Sequence, residues 1–339
     1  MYNLAHDFTG DGRADYLSIA GTAGSGVGTL YVNPGEEARR WNDYEVLPSV
    51  GNEVTVMHDV DGDGEPEIVH AYQARYLAYS EPDPEDPTQT WSTTIISEAG
   101  PWGANQRHGL GAGDISGDGR ADVVTVYGWW EQPDPDGGEE LWTYHPRAFG
   151  RQPAMAGVLG GAEMGVCDVN GDGLADVVTS LEAHGFGLSW FEQVCDAEGR
   201  ISFVEHKIMD GFGDDNAGGV TFTQLHGAAF ADVDGDGVMD LITGKSFQHH
   251  FGYADPDAWG PPVVYWNRTV RNPAAPGGAE FVPELIHDRA GVGSKVEVAD
   301  VDGSGTLDVV ISAHNGTYVL LNHTPQRRPV RPQEVRNGL

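Results

Sequence analysis

The sequence predicts an all-β protein, a β-propeller of four-stranded blades, on three observations. An acidic nine-residue loop recurs six times. Each copy lies between two short β-branched runs. Two further strand-like runs follow it before the next copy begins. The copies read DFTGDGRAD (7–15), DVDGDGEPE (59–67), DISGDGRAD (114–122), DVNGDGLAD (168–176), DVDGDGVMD (232–240) and DVDGSGTLD (300–308). Their first residues are 52, 55, 54, 64 and 68 positions apart, a period that marks an array of equivalent structural units.

The strands follow in order within each unit. From 227 to 288, GAAFADV leads into the loop, MDLITG leads out, PVVYWNRTV comes third and EFVPELIHD closes the unit. Residues 161–210 repeat this order with EMGVCDV, ADVVTSL, GLSWFEQV and ISFVEHKIM. Four-stranded meanders repeated about an axis make a propeller, whereas a β-sandwich has no need of the same loop at every first turn. The chain begins inside the first strand of its first unit (YNLAHD), and GTYVLLNHT is the third strand of the sixth. The propeller is therefore expected over 1–324. The Pro/Arg-rich stretch 325–339 offers no clear fourth strand to the sixth unit.

The loop has the chemistry of a calcium site. Hard oxygen ligands stand at positions 1, 3, 5 and 9: Asp7, Thr9, Asp11 and Asp15; Asp59, Asp61, Asp63 and Glu67; Asp114, Ser116, Asp118 and Asp122; Asp168, Asn170, Asp172 and Asp176; Asp232, Asp234, Asp236 and Asp240; Asp300, Asp302 and Asp308. Glycines at positions 4 and 6 allow the positive φ that wraps backbone around an ion. In the sixth copy Ser304 replaces the position-5 carboxylate, which weakens that site. An EF-hand is excluded, because it needs a Glu at position 12 and flanking helices. Position 12 here is Ser18, His70, Thr125, Thr179, Thr243 or Ile311, and the flanks (VVTVY, LITGK, VVISA) read as strands.

The formal charge is -33. Six bound Ca²⁺ would bring it to about -21, still a poor match for nucleic acid or an anionic membrane surface. No apolar run is long enough to span a membrane. Met1 is followed by YNLAHDF, with neither a basic start nor an apolar core, so no signal peptide is visible, although loops of this type fill at extracellular calcium levels. Cys167 and Cys195 are read as free thiols, and Asn267, Asn315 and Asn322 stand in short glycosylation sequons.

Strand geometry also sorts the histidines. The first two strands of a unit form a hairpin whose turn is the acidic loop, so the start of one and the end of the other meet at the opposite face. His108 and His226 lie six residues before their loops, and His184 and His249 lie eight and nine residues after theirs. Trp129, Trp130, Lys245, His250 and His314 reach the same rim, as does Glu163, beside the position equivalent to His108. Imidazoles suit Zn²⁺ or Mn²⁺ rather than Ca²⁺, so His108, His184 and His226 are the expected ligands of a transition metal. Glu163, His184, Lys245 and His249 are the expected acid–base and oxyanion groups, and Trp129, Trp130, Arg107 and His250 the expected substrate contacts. His145, His206 and His287 fall on outer strands, where a structural role is expected, as it is for His58 beside its loop.

The D-x-[DN]-G-D-G-x-x-D loops resemble FG-GAP/VCBS repeats, the calcium-binding blades of integrin-type propellers, over residues 4–322. QRHGLGAGD, GWWEQP, AHGFGLSWFEQ, FTQLHGAAFADVDGDG and TGKSFQHH are similar, more narrowly, to the propeller domain of the aldos-2-ulose dehydratase family, lyases of 2-keto sugars. That family's propeller has seven blades, and its fungal member adds cupin domains, where this sequence shows six loops and no cupin. The resemblance implies removal of water from a neutral keto sugar such as 1,5-anhydrofructose. The integrin-type likeness alone implies a non-catalytic propeller that binds glycan or protein.

Overall fold

The structure, a computed structural model, describes residues 2–20, 26–104, 108–138, 141–151, 160–247 and 255–323. Six antiparallel meanders follow one another along the chain. The first holds β1 (Tyr2–His6), β2 (Asp15–Ala20), β3 (Gly26–Val32) and β4 (Asn42–Val50); the second holds β5 (Val56–His58), β6 (Glu67–Tyr72), β7 (Tyr76–Glu81) and β8 (Ser92–Ile95). The third runs through β9 (Leu110–Gly113), β10 (Asp122–Thr125), β11 (Gly128–Glu131) and β12 (Thr143–Pro146). The fourth runs through β13 (Gly165–Cys167), β14 (Asp176–Ser180), β15 (Leu188–Cys195) and β16 (Ile201–Met209). The fifth comprises β17 (Ala228–Ala231), β18 (Asp240–Gly244), β19 (Val264–Arg271) and β20 (Ala279–His287). The sixth has β21 (Val296–Ala299), β22 (Asp308–Ala313) and β23 (Gly316–Leu320), three strands among the described residues. This is a six-bladed β-propeller, and 325–339 lie outside the described residues.

Apolar cores lie between blades rather than within them, because each sheet has two faces to cover. Trp190, Leu188, Phe222, Leu241 and Phe281 join blades four and five. Val264, Trp266, Val292 and Ile311 join five and six, and Val124, Phe149, Val177 and Phe191 join three and four. The aromatic residues of the third strands are therefore packing residues, as are two outer-strand histidines. His145 stacks on Trp129 at 4.0 Å and bonds Glu131, while His206 stacks on Trp190 at 4.5 Å and bonds Glu192. Cys167 and Cys195 are free. Cys195 ends the third strand of its blade.

Each acidic loop is closed by its own side chains. The position-1 carboxylate accepts the N–H of position 6 in all six copies, from Gly12, Gly64, Gly119, Gly173, Gly237 and Gly305. Those glycines hold φ between 85° and 98°, a region that a Cβ makes costly. The position-9 carboxylate has a different role. Asp15, Asp122, Asp176, Asp240 and Asp308 are buried, with one oxygen accepting a loop N–H and the other an N–H at the end of the third strand. Glu67 takes only the loop N–H groups of Val60 and Asp61. Position 9 thus ties strand to loop inside every blade.

The first strands of blades one, four and six also meet across the centre. Glu163 Oε2 accepts from Tyr2 Oη at 3.0 Å and from Lys295 Nζ at 2.6 Å. Burial, Glu163 and Glu297 together push the Tyr2 phenol well up, and the neighbouring carboxylates raise Lys295 against the opposing effect of burial. Removing the ammonium leaves the half-buried Glu163 carboxylate without its counter-charge and beside Glu297. Lys295→Met should therefore lower stability by about 2 kcal/mol, and Tyr2→Phe, which deletes one hydrogen bond, by about 1 kcal/mol. Denaturant melts of the two variants test that order, and equal or reversed losses would remove the proposed cross-channel tie.

Candidate metal centre

The centre is built from strand starts. In blades two, three and five the residue six places before the loop is Glu53, His108 and His226. The equivalent register brings their side chains to one point. His108 Nε2 lies 2.9 Å from His226 Nε2, and Glu53 Oε2 lies 3.2 Å from the first and 3.8 Å from the second. His184 arrives from the turn between β14 and β15, with its ring 5.3 Å from His108 and 5.0 Å from His226. One nitrogen from each of the three histidines falls within 4.8 Å of the others. Neighbouring donors around a tetrahedral zinc at 2.0–2.1 Å stand about 3.3 Å apart. The 2.9 Å between His108 Nε2 and His226 Nε2 is close to that value and a His184 nitrogen lies within 4.8 Å of both rings' donors, so the residues fit such an ion with small ring movements.

A strained residue organises two of these histidines. Gln224 is buried at φ 59°. Its carbonyl accepts from His226 N at 2.8 Å and Ser246 N at 2.9 Å, and its own N–H donates to Gly185 O, beside His184. A non-glycine residue in this region is held there by its surroundings. The turn 255–260 is clamped alongside. Asp255 Oδ1 lies 3.7 Å from His184 Nδ1, Pro256 O accepts from Thr223 Oγ1 at 3.0 Å, and Asp257 Oδ2 lies 3.6 Å from Lys245 Nζ.

The other expected site residues are distributed differently. Glu163 lies one step further along the channel, in the register of Tyr2 and Lys295, and its carboxylate is engaged by those two groups. Lys245 is fully buried, donating to Thr223 Oγ1 at 2.7 Å. Burial lowers its pKa, with Asp257 and Asp255 opposing. Trp129 and Trp130 are only 3% and 1% exposed and pack against His145, Tyr144 and Trp102, so neither offers a face to a substrate. Rim position in a propeller does not guarantee exposure, because outer strands and the loops between strands fold over the side chains there. Arg107, His249 and His250 lie outside the described residues. Glu53 and Asp255 were missed by the sequence reading; Glu53 carries the same offset as His108 and His226, a signal that counting carboxylates with the histidines would have found.

The acidic loops fall into two groups. In copies two, five and six, Asp59, Asp61 and Glu67, then Asp232, Asp234 and Asp240, then Asp300, Asp302 and Asp308 each bring one oxygen within 4.8 Å of the others. In copies one, three and four a guanidinium contacts the loop: Arg13 on Asp11 at 2.7 Å, Arg120 on Asp118, and Arg271 on Asp168 at 3.4 Å.

No protein-family model matches this chain, and no curated protein matches it. Among solved structures it is similar to AofleA from Arthrobotrys oligospora, at 11% identity and a TM-score of 0.46, over 96% of this chain and 84% of that one.

Burial pushes four position-9 carboxyls up, Glu67 and Asp176 to about 7 and Asp122 and Asp240 to about 6. These folded values lie above the unfolded ones, so the stabilisation belongs to the protonated form. It is complete below about pH 4 and is lost as pH rises through 6 to 7. In chelator, the melting temperature should fall between pH 5 and pH 8. A flat or rising profile over that interval would show that these carboxylates carry no such burden.

Proposed function

We propose that this chain is a metal-dependent carbon–oxygen lyase, a dehydratase of a neutral 2-keto sugar such as 1,5-anhydrofructose, working at the channel mouth. The observation that carries this reading is the convergence of His108, His184, His226 and Glu53 from four separate blades. Three imidazoles suit Zn²⁺ or Mn²⁺. Such an ion supplies a Lewis acid that polarises a carbonyl and acidifies the adjacent C–H.

The remaining chemistry belongs to the chain. Glu53 is partly exposed beside the histidines and is the proton acceptor in this reading, because Glu163 is already paired with Lys295 and Tyr2. The proton at C3 passes to Glu53, and the C–H electron pair becomes the new double bond. The C4–O bond breaks, and the departing hydroxyl takes the proton back from Glu53 and leaves as water, which restores the carboxylate. Lys245 acts at one remove, holding Asp257 and with it the turn that carries Asp255 to His184.

In the same reading calcium occupies the loops of copies two, five and six, where carboxylates converge, while arginine supplies the counter-charge in copies one, three and four. Calcium titration should then give about three tight sites rather than the six expected from the loop motif. Asp61→Ala should remove one of them and Asp118→Ala none. Six equivalent sites would exclude the division.

The reaction forms a conjugated enone, so ultraviolet absorbance should rise when zinc- or manganese-loaded protein meets 1,5-anhydrofructose. Glu53→Gln should abolish the rise and keep the transition metal, whereas His108→Ala should lose that metal and keep calcium. If loaded wild-type protein leaves the absorbance unchanged with every 2-keto and 3-keto sugar tried, the lyase reading fails. The chain is then a propeller that binds glycan without turning it over.

A further inference from the structure

Two large aromatic side chains stand in solvent on loops tied to the turn that carries His184. Trp259 is 75% exposed and Phe212 is 66% exposed, the two highest values among the exposed large apolar side chains of the described residues. An aromatic ring so placed gives up the stabilisation that burial would bring, and aromatic residues exposed beside a polar site mark contact surfaces.

Their loops are not loose. The turn bearing Trp259 is held at three consecutive residues, by Asp255 to His184, Pro256 O to Thr223 and Asp257 to Lys245. Ala258 is buried beneath, and Asp257 O accepts from Gly260 N at 2.9 Å. Phe212 sits after β16, where Asp210 pairs twice with Arg151, whose N–H donates to Leu181 O. Its ring also meets Phe186 edge-on at 5.4 Å, two residues from His184. Both aromatics are thus anchored to the turn 181–187, which delivers His184 to the cluster.

We propose that Trp259 and Phe212 form the carbohydrate subsite of this centre, an aromatic rim that receives the apolar C–H face of a neutral pyranose ring. This rests on the lyase reading for the identity of the sugar, but not on its chemistry. The class of ligand follows from the surroundings. The aromatic faces offer no charge to pair with an anion, and Asp255 and Asp257, on the turn that carries Trp259, repel one while accepting hydroxyl donors. The formal charge of -33 acts in the same direction.

The experiment is calorimetric titration of 1,5-anhydrofructose and methyl glucoside into zinc-loaded and zinc-free protein, comparing wild type with Trp259→Ala and Phe212→Ala. Both substitutions are on exposed side chains, and zinc content and the melting curve of each variant are measured alongside. The expected result is a dissociation constant raised about tenfold in each variant at unchanged zinc stoichiometry, in keeping with aromatic contacts of this size. Wild-type affinity in both variants would overturn the proposal, as would a wild type that binds neither sugar. Binding that persists without zinc and is lost in Trp259→Ala would sustain the aromatic rim while ending the metal reading.

Discussion

The position-9 carboxylate is the interaction on which the blades depend. In five copies it sits buried at the start of the second strand, one oxygen on the loop and the other on the end of the third strand. Each hydrogen bond to a charged acceptor is stronger than its neutral counterpart, and a lost partner would leave a buried charge unsatisfied. The hairpin turn and the sheet edge are therefore joined by a single side chain, repeated around the ring. Glu67, one methylene longer, reaches only its own loop. Burial raises the carboxyls of Glu67, Asp122, Asp176 and Asp240.

With the loops held, register along the first strands decides what meets at the centre. Residues six before the loop form one layer, where Glu53, His108 and His226 gather. Residues five before it form the next, where Tyr2, Glu163 and Lys295 gather. A one-residue offset separates the histidine–carboxylate cluster from a structural tie because neighbouring residues of an extended chain point in different directions. His184 joins the first layer from another element, and Gln224, in a backbone conformation unfavourable to it, links its turn to His226.

The local sequence therefore determined much. Six copies of one loop established the number of blades, and the alternating flanks established the meander within them. Counting back from each loop placed His108 and His226 together, and counting forward brought His184 to the same face. Those are one-dimensional facts, because a strand's rise and a hairpin's reversal are nearly constant. The same counting placed Trp129, Trp130 and Lys245 near the rim, and there it was incomplete. Whether a side chain at the rim is open or covered depends on which loop or outer strand folds back over it, which counting along one strand does not reveal. Trp102 and Tyr144 close over Trp130, and the turn at 255–260 closes over Lys245.

Charge pairing was the other decision left to tertiary structure. The motif gives Asp11 and Asp118 the same standing as Asp63 and Asp236, and Asp168 the same as Asp59, yet among the described residues arginines reach only Asp11, Asp118 and Asp168, and Arg271 does so from a different blade. Glu163 likewise has the composition of a free base and the surroundings of a paired one, since Lys295 is 132 residues distant in sequence and 2.6 Å distant in space. The sequence by itself determined the repeat, the strand order and the offset at which chemistry-bearing residues stand. Only the closed ring decided which of them face one another, because the short-range forces that pair or cover a side chain depend on separations of a few ångströms that chain distance does not encode.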